Sequence, residues 1–289
     1  MKLYAFGEIL WDVFPTERHI GGATLNIAAH FSLHGGHSML VSAVGDDELG
    51  RAALDVAREL KIDISHTEIK KDRKTGESVV TLDGGGLPSY TITEGVAYDF
   101  IKTDEIMPSE GDVLYFGTLS LRESHNRESL TSLIGRTSFA EIFADVNLRA
   151  PFIYKESMKI ALEYATVLKI SEEELPTLSK MMLGKECGHR EAAALIKEKY
   201  KNVKLVIITL GENGSYVFDT RECREYTAAA KRVKVLSTVG AGDSYSAAFL
   251  YGYMKGESIE KCLENATRVS AFVVSKPEAV PIYKPSELT

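Results

Sequence analysis

The chain has 289 residues, of which 44% are hydrophobic and 26% charged, and this composition predicts a soluble globular protein. Disorder, collagen and coiled coil are excluded as the main architecture. Against 34 Lys and Arg stand 41 Asp and Glu, and the resulting net charge of −7 excludes a general electrostatic attraction to nucleic acid or to an anionic membrane.

The cysteines and the first apolar stretch bear on the cellular compartment. Cys187, Cys223 and Cys262 lack CxxC spacing, and their odd number argues against a disulfide framework or a structural zinc site. Glu8 and Asp12 interrupt the first apolar stretch, which spoils the core of a signal peptide, and no apolar run reaches membrane-spanning length. The sequence therefore predicts a cytoplasmic protein.

Short apolar runs alternate along the chain with segments of helical periodicity. Apolar residues recur every three or four positions in Leu25–Leu33, Leu49–Leu60 and Leu175–Met182, which predicts helices. This alternation predicts an α/β fold, a mostly parallel sheet covered by helices on both faces, with ligands at the carboxyl ends of the strands. The predicted strands are Leu3–Phe6, Met39–Val44, Asp112–Phe116, Glu141–Ala144, Val167–Ile170 and Leu205–Leu210.

One region departs from this alternation and predicts a small second sheet. Ser78–Leu82 and Tyr90–Thr93 alternate apolar with polar residues around the turn-rich Asp83–Gly86, which indicates a β-hairpin. Segments 11–20 and 76–96 together predict a β-sheet lid inserted in a single domain that spans the whole chain. The exposed edge of this lid also predicts a homodimer.

A glycine-rich turn near the C-terminus predicts a site for a phosphoryl group. Thr238–Asp243 leads into Ser244–Leu250, a small apolar run that favours helix, so the turn becomes a helix N-terminus that attracts negative charge. Asp243 in the first turn is explained structurally by the helix dipole. Because a carboxylate beside an anion hole would repel phosphate, a general base that takes a proton from the attacking hydroxyl is the better interpretation.

Two separated motifs resemble the signatures of the PfkB, or ribokinase-like, carbohydrate kinases. Ser237–Asp243 resembles the C-terminal signature, Gly21–Ala28 resembles the N-terminal one, and Asp145–Arg149 is similar to a segment of fructokinases. The resemblance covers essentially the whole chain and implies a ribokinase-like fold with a β-sheet lid. It also implies transfer of the γ-phosphoryl group of Mg-ATP to a hydroxymethyl group of a monosaccharide, with D-fructose as first choice.

The resemblance also implies roles for individual residues. Asp243 is the catalytic base, with the backbone of Gly240, Ala241 and Gly242 as the anion hole. The implied sugar-binding residues are Asp12, Gly22, Asn26, Asn147 and Arg149. The implied nucleotide-binding residues are Thr209, Gly211, Gly214 and Asn265, and Glu174 is implied to hold Mg²⁺ through water.

Several of these residues have structural interpretations that stay open. Ser171 and Glu174 have the spacing of a capping box, and Gly211–Gly214 suffices as a hairpin turn. Asp12 suits a turn, and Asn26 suits the polar surface of a helix.

The sequence also leaves open which ligands besides ATP the chain takes. Ser237 stands where the family usually has Asp or Asn, so activation by a monovalent cation is in doubt. Arg149 could hold a carboxylate or pair with Asp145, which keeps an acid sugar such as 2-keto-3-deoxygluconate as an alternative substrate. A non-catalytic sugar sensor is a second alternative. His30, His34 and His37 are expected to face solvent.

Overall fold

The computed structural model describes residues 1–14, 16–82 and 88–288. The strands in these ranges are β1 (Lys2–Phe6), β2 (Leu10–Val13), β3 (Arg18–Gly21), β4 (His37–Gly45), β5 (Thr67–Lys70), β6 (Gly76–Leu82), β7 (Pro88–Ile92), β8 (Val113–Gly117), β9 (Glu141–Asp145), β10 (Val167–Ser171), β11 (Leu205–Thr209), β12 (Ser215–Asp219) and β13 (Arg224–Ala228). The helices are α1 (Ala23–Leu33), α2 (Glu48–Glu59), α3 (Ser124–Arg136), α4 (Lys155–Tyr164), α5 (Leu175–Leu178), α6 (His189–Lys199), α7 (Ala241–Met254) and α8 (Ile259–Val274).

The larger sheet has the strand order β13-β12-β11-β10-β9-β8-β1-β4-β5. The seven strands β11, β10, β9, β8, β1, β4 and β5 pair in parallel, and β12 and β13 are added antiparallel at one edge. This arrangement confirms the predicted mostly parallel sheet. The antiparallel pairing of β11 with β12 also confirms a hairpin around Asn213-Gly214.

The strands are apolar runs because both faces of this sheet are covered by helices. Leu3 and Ala5 of β1 point to a core shared with α1, α2, α7 and α8. Tyr4 and Phe6 of the same strand point to a second core, shared with α3, α4 and α6. Successive strand residues therefore alternate between two buried layers, as a doubly covered sheet requires.

The smaller sheet has the order β3-β2-β6-β7 and is separate from the larger one. Strands β2 and β3 pair antiparallel, β2 and β6 pair in parallel, and β6 and β7 form the predicted antiparallel hairpin. The predicted turn at Asp83–Gly86 lies outside the described residues. The two sheets together confirm the predicted fold class.

The prediction that His30 and His34 face solvent was wrong. The His30 side chain is fully buried, with its ring nitrogens 3.0 Å from the Tyr283 hydroxyl and 3.0 Å from the Ala279 carbonyl oxygen. His34 packs against the rings of Tyr251 and Tyr283, and burial lowers the pKa of both histidines to about 4. The C-terminal segment folds back over α1, a long-range contact that helical periodicity does not reveal.

No helix in the described part of the chain combines the length and the apolar character needed to cross a membrane.

Candidate active site

Three predicted site residues, and Glu8, which was not predicted, follow the carboxyl ends of strands in the larger sheet. Glu8 follows β1, Asn147 follows β9, Glu174 follows β10 and Gly211 follows β11. Because these strands are parallel, their carboxyl ends lie at one edge of the sheet, where α/β folds bind ligands. The N-termini of α1 and α7 complete this edge.

Helix α7 begins at Gly240, which has a left-handed φ of +79°. A Cβ atom at Gly240 would collide with the Ala279 carbonyl, so the turn requires glycine both for its conformation and for its space. Asp243 lies in the first turn of α7. Of the three N–H groups predicted to form the anion hole, that of Ala241 donates to the Thr238 carbonyl oxygen at 3.3 Å. The N–H groups of Gly240 and Gly242, and that of Asp243, have no hydrogen-bond partner among the described residues and remain able to bind an anion.

Helices α1 and α7 meet at a hydrogen bond between Asn26 and Asp243. The Asn26 Nδ2 donates to Asp243 Oδ2 at 2.8 Å, and Asn26 is 5% exposed. The interpretation of Asn26 as a surface residue was therefore wrong. Burial raises the pKa of Asp243 to about 6, and the Asp145 carboxylate adds to this rise, while Asn26, Lys169 and Arg149 oppose it.

The Glu8 side chain binds the backbone at the N-terminus of α1. Its buried carboxyl group accepts from the Ala23 N–H at 3.0 Å and lies 3.5 Å from the Thr24 hydroxyl. Gly22 starts this helix with a φ of +105°, and a Cβ atom there would lie 2.6 Å from the Glu8 carbonyl oxygen. Burial raises the pKa of Glu8 to about 7 although Arg149 opposes the rise.

Asp12 reaches this region from the smaller sheet. It lies in the middle of β2, opposite His19 on β3 and Ser78 on β6, so it is not a turn residue. Burial raises the pKa of Asp12, and a hydrogen bond from Ser78 and the charges of His19 and Arg149 oppose that rise. Arg149 is exposed, and its charge acts on Asp12, Glu8 and Asp243.

Asp145 pairs with a lysine, and the pairing with Arg149 considered above does not form. The Lys169 Nζ lies 2.9 and 2.8 Å from the two carboxylate oxygens of Asp145, and both residues are buried. The Arg149 guanidinium donates instead to the Leu148 carbonyl oxygen at 3.3 Å. Asn147 is buried beside this pair with a left-handed φ of 37°.

Glu174 forms the reciprocal bonds of a capping box with Ser171. Its Oε2 accepts from the Ser171 N–H at 2.8 Å, its own N–H donates to Ser171 Oγ at 3.3 Å, and its Oε1 accepts from the Leu148 N–H at 2.8 Å. Each carboxylate oxygen keeps a second lone pair. The residue therefore fits a Mg²⁺ ion held through water as well as a capping role. Within the described ranges, no cluster of three His, Cys, Asp or Glu side chains fits direct metal binding.

The predicted nucleotide-binding residues fall into two groups. Thr209 ends β11, and Gly211 and Gly214 form the turn that follows, where a Cβ atom at Gly214 would collide with the Ala228 carbonyl. Ala228 also lines a cavity of about 460 Å³ between β13 and α8. Asn265 lies apart from this turn, on α8, where its amide donates to Glu257 at 3.0 Å, and its nucleotide contact stays a prediction.

Sequence reasoning missed three buried charged residues near the site. Lys169 was included in an apolar strand, although a lysine inside such a run indicates a buried partner. Glu8 was considered only for its effect on a signal peptide. Arg122 makes a bidentate pair with buried Asp99 at 2.8 Å and donates to the Thr93 carbonyl at the end of the small sheet.

Comparisons with known proteins agree with this geometry. The model of the pfkB family carbohydrate kinases matches residues 2–285. The probable fructokinase-7 of Arabidopsis thaliana is 28% identical, over 96% of this chain and 88% of that protein. A 5-dehydro-2-deoxygluconokinase of Listeria monocytogenes is 27% identical, over 92% of this chain and 83% of that protein.

Solved structures show the same fold. A fructokinase from Vibrio cholerae, determined with fructose, ADP and a calcium ion, superposes with a TM-score of 0.83 at 23% identity, over 97% of this chain and 95% of that one. An aminoimidazole riboside kinase from Salmonella enterica superposes with a TM-score of 0.83 at 21% identity, over 99% of this chain and 98% of that one. The chain belongs to the pfkB family of carbohydrate kinases, which are phosphotransferases with an alcohol group as acceptor.

Proposed function

We propose that this sugar kinase transfers the γ-phosphoryl group of ATP to the 6-hydroxyl of D-fructose, with Asp243 as the general base. The observation that carries the proposal is the contact between Asn26 and Asp243, which holds a carboxylate of raised pKa at the N-terminus of α7. A base with a pKa near 6 is ionised at neutral pH and still accepts a proton readily.

The reaction follows from this geometry. The sugar hydroxyl oxygen attacks the γ-phosphorus atom while Asp243 takes the hydroxyl proton. The bond from that phosphorus to the β,γ-bridging oxygen breaks, and its electron pair leaves with ADP. The N–H groups of Gly242 and Asp243 donate to the oxygens of the transferred group and stabilise the negative charge that gathers on them.

Further residues supply binding and charge in this proposal. Asp12 and Asn26 bind sugar hydroxyls, Gly22 lets the sugar approach the backbone, and Asn147 and Arg149 contact it from the other side. Mg²⁺ would be held through water by Glu174, and it would supply positive charge to the phosphates of ATP. The nucleotide lies along Thr209, Gly211 and Gly214.

An acid sugar is the second candidate substrate, and the 5-dehydro-2-deoxygluconokinase relatives favour it. Arg149 is exposed beside the site and its guanidinium is suited to a carboxylate. Arg122 is less suited, because Asp99 already neutralises its charge. Glu94 is exposed two residues after β7, and it would oppose an anionic substrate if it faced the site, which would favour fructose.

The substrate proposal is tested by measuring ADP release from Mg-ATP with fructose, 2-keto-3-deoxygluconate and 5-dehydro-2-deoxygluconate. We expect the highest kcat/KM with fructose. A higher kcat/KM with either acid sugar would overturn the fructose assignment and leave the kinase chemistry intact. Arg149→Met discriminates further, because it should lower kcat/KM by roughly 10-fold or more for an acid sugar that Arg149 holds.

The position of the small sheet supports a lid, since β2 brings Asp12 to the sugar side of the site. Closure of the lid would exclude water as a competing acceptor. The homodimer through the lid and the cytoplasmic location stay predictions. Sedimentation of the purified protein, with and without sugar and ATP, tests the dimer.

A further inference from the structure

Lys169 carries a charge that is buried within a strand of the larger sheet. It belongs to β10, at the centre of the larger sheet, and is 5% exposed. Two of its contacts are the carboxylate oxygens of Asp145 at 2.8 and 2.9 Å. An ammonium group has three N–H donors, so one donor remains for another acceptor.

The ammonium group of Lys169 lies against the first turn of α7. A Cβ atom built on Gly242 would be 3.4 Å from Lys169 Nζ, so the charge is directly beside the N–H groups that are open to an anion. The carboxylates that act on it are Asp145, Glu174 and Asp243. Burial disfavours its charged form, yet these carboxylates raise the pKa of Lys169 above its ordinary value.

A purely structural role does not account for this pair. Strands β9 and β10 already pair through their backbones, and a buried ion pair is often no more stabilising than apolar residues of similar volume. A second lysine pair near the same strands, Lys204 with Glu141 at 2.8 Å, lies at the opposite end of β9 and is partly exposed. The charge of Glu141 acts on Tyr253 in the last turn of α7, so this pair lies away from the N-terminus of that helix.

We propose that Lys169 is a catalytic residue that donates its third N–H to an oxygen of the transferring phosphoryl group, with Asp145 as the residue that positions it. The proposal rests on the phosphoryl site at α7 proposed above. A fixed positive charge in a site shielded from water stabilises the charge on the phosphoryl group more strongly than an exposed lysine would.

Asp145 also offsets the effect of this positive charge on the base. Lys169 contacts Asp145, whereas Asp243 contacts Asn26, so the two carboxylates have separate partners. An ammonium group bonded directly to Asp243 would stabilise its ionised form and make it a weaker proton acceptor. The Asp145 carboxylate raises the pKa of Asp243 and so offsets the lowering by Lys169, while Lys169 serves the phosphoryl group.

The test compares single and paired substitutions. Lys169→Met alone leaves the Asp145 carboxylate buried without its partner, which risks misfolding. The double variant D145N/K169M removes both charges and preserves the packing. We expect kcat to fall roughly 10- to 100-fold in the double variant, with the KM for sugar changed by less than about threefold, because the contact strengthens in the transition state. The matched control E141Q/K204M should keep wild-type kcat.

Two further results decide the proposal. Lys169→Arg keeps the charge and should retain several-fold more activity than D145N/K169M. The proposal is overturned if D145N/K169M turns over within about twofold of wild type, if E141Q/K204M loses as much, or if the arginine variant is no better than the double variant. All variants are assayed with the sugar that the wild type phosphorylates best, so a wrong fructose assignment leaves this test unaffected. Circular dichroism melting confirms that each variant is folded.

Discussion

The N-termini of α1 and α7 are built alike and used differently. Both helices begin at a glycine with a positive φ, Gly22 and Gly240, and neither has a side-chain cap on that residue. At α1 the buried carboxyl group of Glu8 fills the space in front of the helix. At α7 that space is lined by backbone N–H groups, and Asp243 points aside to Asn26.

The two neighbouring helix N-termini therefore differ in whether their backbone N–H groups are open to an anion. A helix N-terminus attracts an anion wherever its N–H groups are unsatisfied. Glu8 occupies that place at α1, so this helix end does not compete for phosphate. The α7 terminus remains the one suited to a phosphoryl group.

Asp243→Asn should have the largest effect. The carboxamide keeps the hydrogen bond with Asn26 but cannot accept the hydroxyl proton, so we expect kcat to fall by roughly 10²-fold or more in a folded protein. Glu156→Gln, which alters an exposed first-turn acid of α4, is the control. Turnover near wild type in folded Asp243→Asn would remove Asp243 from the role of base.

The pH dependence of the wild type tests the same assignment. The pKa of Asp243 is raised to about 6, and only its ionised form accepts a proton. We therefore expect kcat/KM to fall as the pH drops through about 6. A rate that stays constant down to pH 4.5 would contradict the raised pKa.

Gly242→Ala should have the next largest effect on turnover, because its methyl group reduces the space beside the open N–H groups of α7. The new methyl group would meet only the end of the Lys169 side chain, with Nζ at 3.4 Å and Cε at 3.9 Å, so the protein should fold. If the phosphoryl group approaches this backbone closely, kcat should fall about 10-fold. Gly135→Ala, in α3 where a Cβ atom meets nothing within 4 Å, is the matched control. Unchanged kcat and ATP KM in Gly242→Ala would place the anion site elsewhere.

Glu8→Gln should have a smaller effect on activity and a measurable effect on stability. The amide offers only one acceptor oxygen to α1, so we expect the sugar KM to rise about threefold with little change in ATP KM. The pKa of Glu8 is raised from 4.5 to about 7. Its ionisation therefore lowers the free energy of unfolding. This loss of stability is absent below pH 4.5 and reaches its full size above pH 7.

This cost gives the sign of the stability measurement. Urea unfolding should show the wild type losing up to about 3 kcal/mol relative to Glu8→Gln between pH 4.5 and 8. Glu156→Gln should show no such trend. Parallel curves for wild type and Glu8→Gln would mean that Glu8 is ionised in the folded protein across this range.

The parts of this contrast that the sequence predicted are local. Glycine at the start of α7, the acid in its first turn and the alternation of strand and helix are all properties of short segments, and each was found. The alternating hairpin of the small sheet is equally local. These features require no knowledge of which segments meet in space.

The parts that were missed depend on contacts between distant segments. Glu8 and Ala23 are 15 positions apart, and Lys169 and Asp145 are 24 apart, so the sequence around one residue does not identify the other. His30 is buried only because the C-terminal segment covers it. A charged residue within an apolar run is the one local signal that these sites gave, and it indicates a partner without identifying it.

The smallest expected effect concerns the loop that leads into α7. Ser237 stands where the resembling family signature has Asp or Asn. Its Oγ accepts from the Val239 N–H at 3.2 Å, so this hydroxyl stabilises the loop before α7. A neutral hydroxyl attracts a monovalent cation weakly, so turnover in potassium and sodium buffers of equal ionic strength should agree within about twofold. Ser237→Asp should introduce a preference for potassium if the rest of the loop suits a cation. A several-fold higher wild-type rate in potassium alone would show that backbone carbonyls suffice there, and that the open terminus of α7 is assisted by a cation as well as by Lys169.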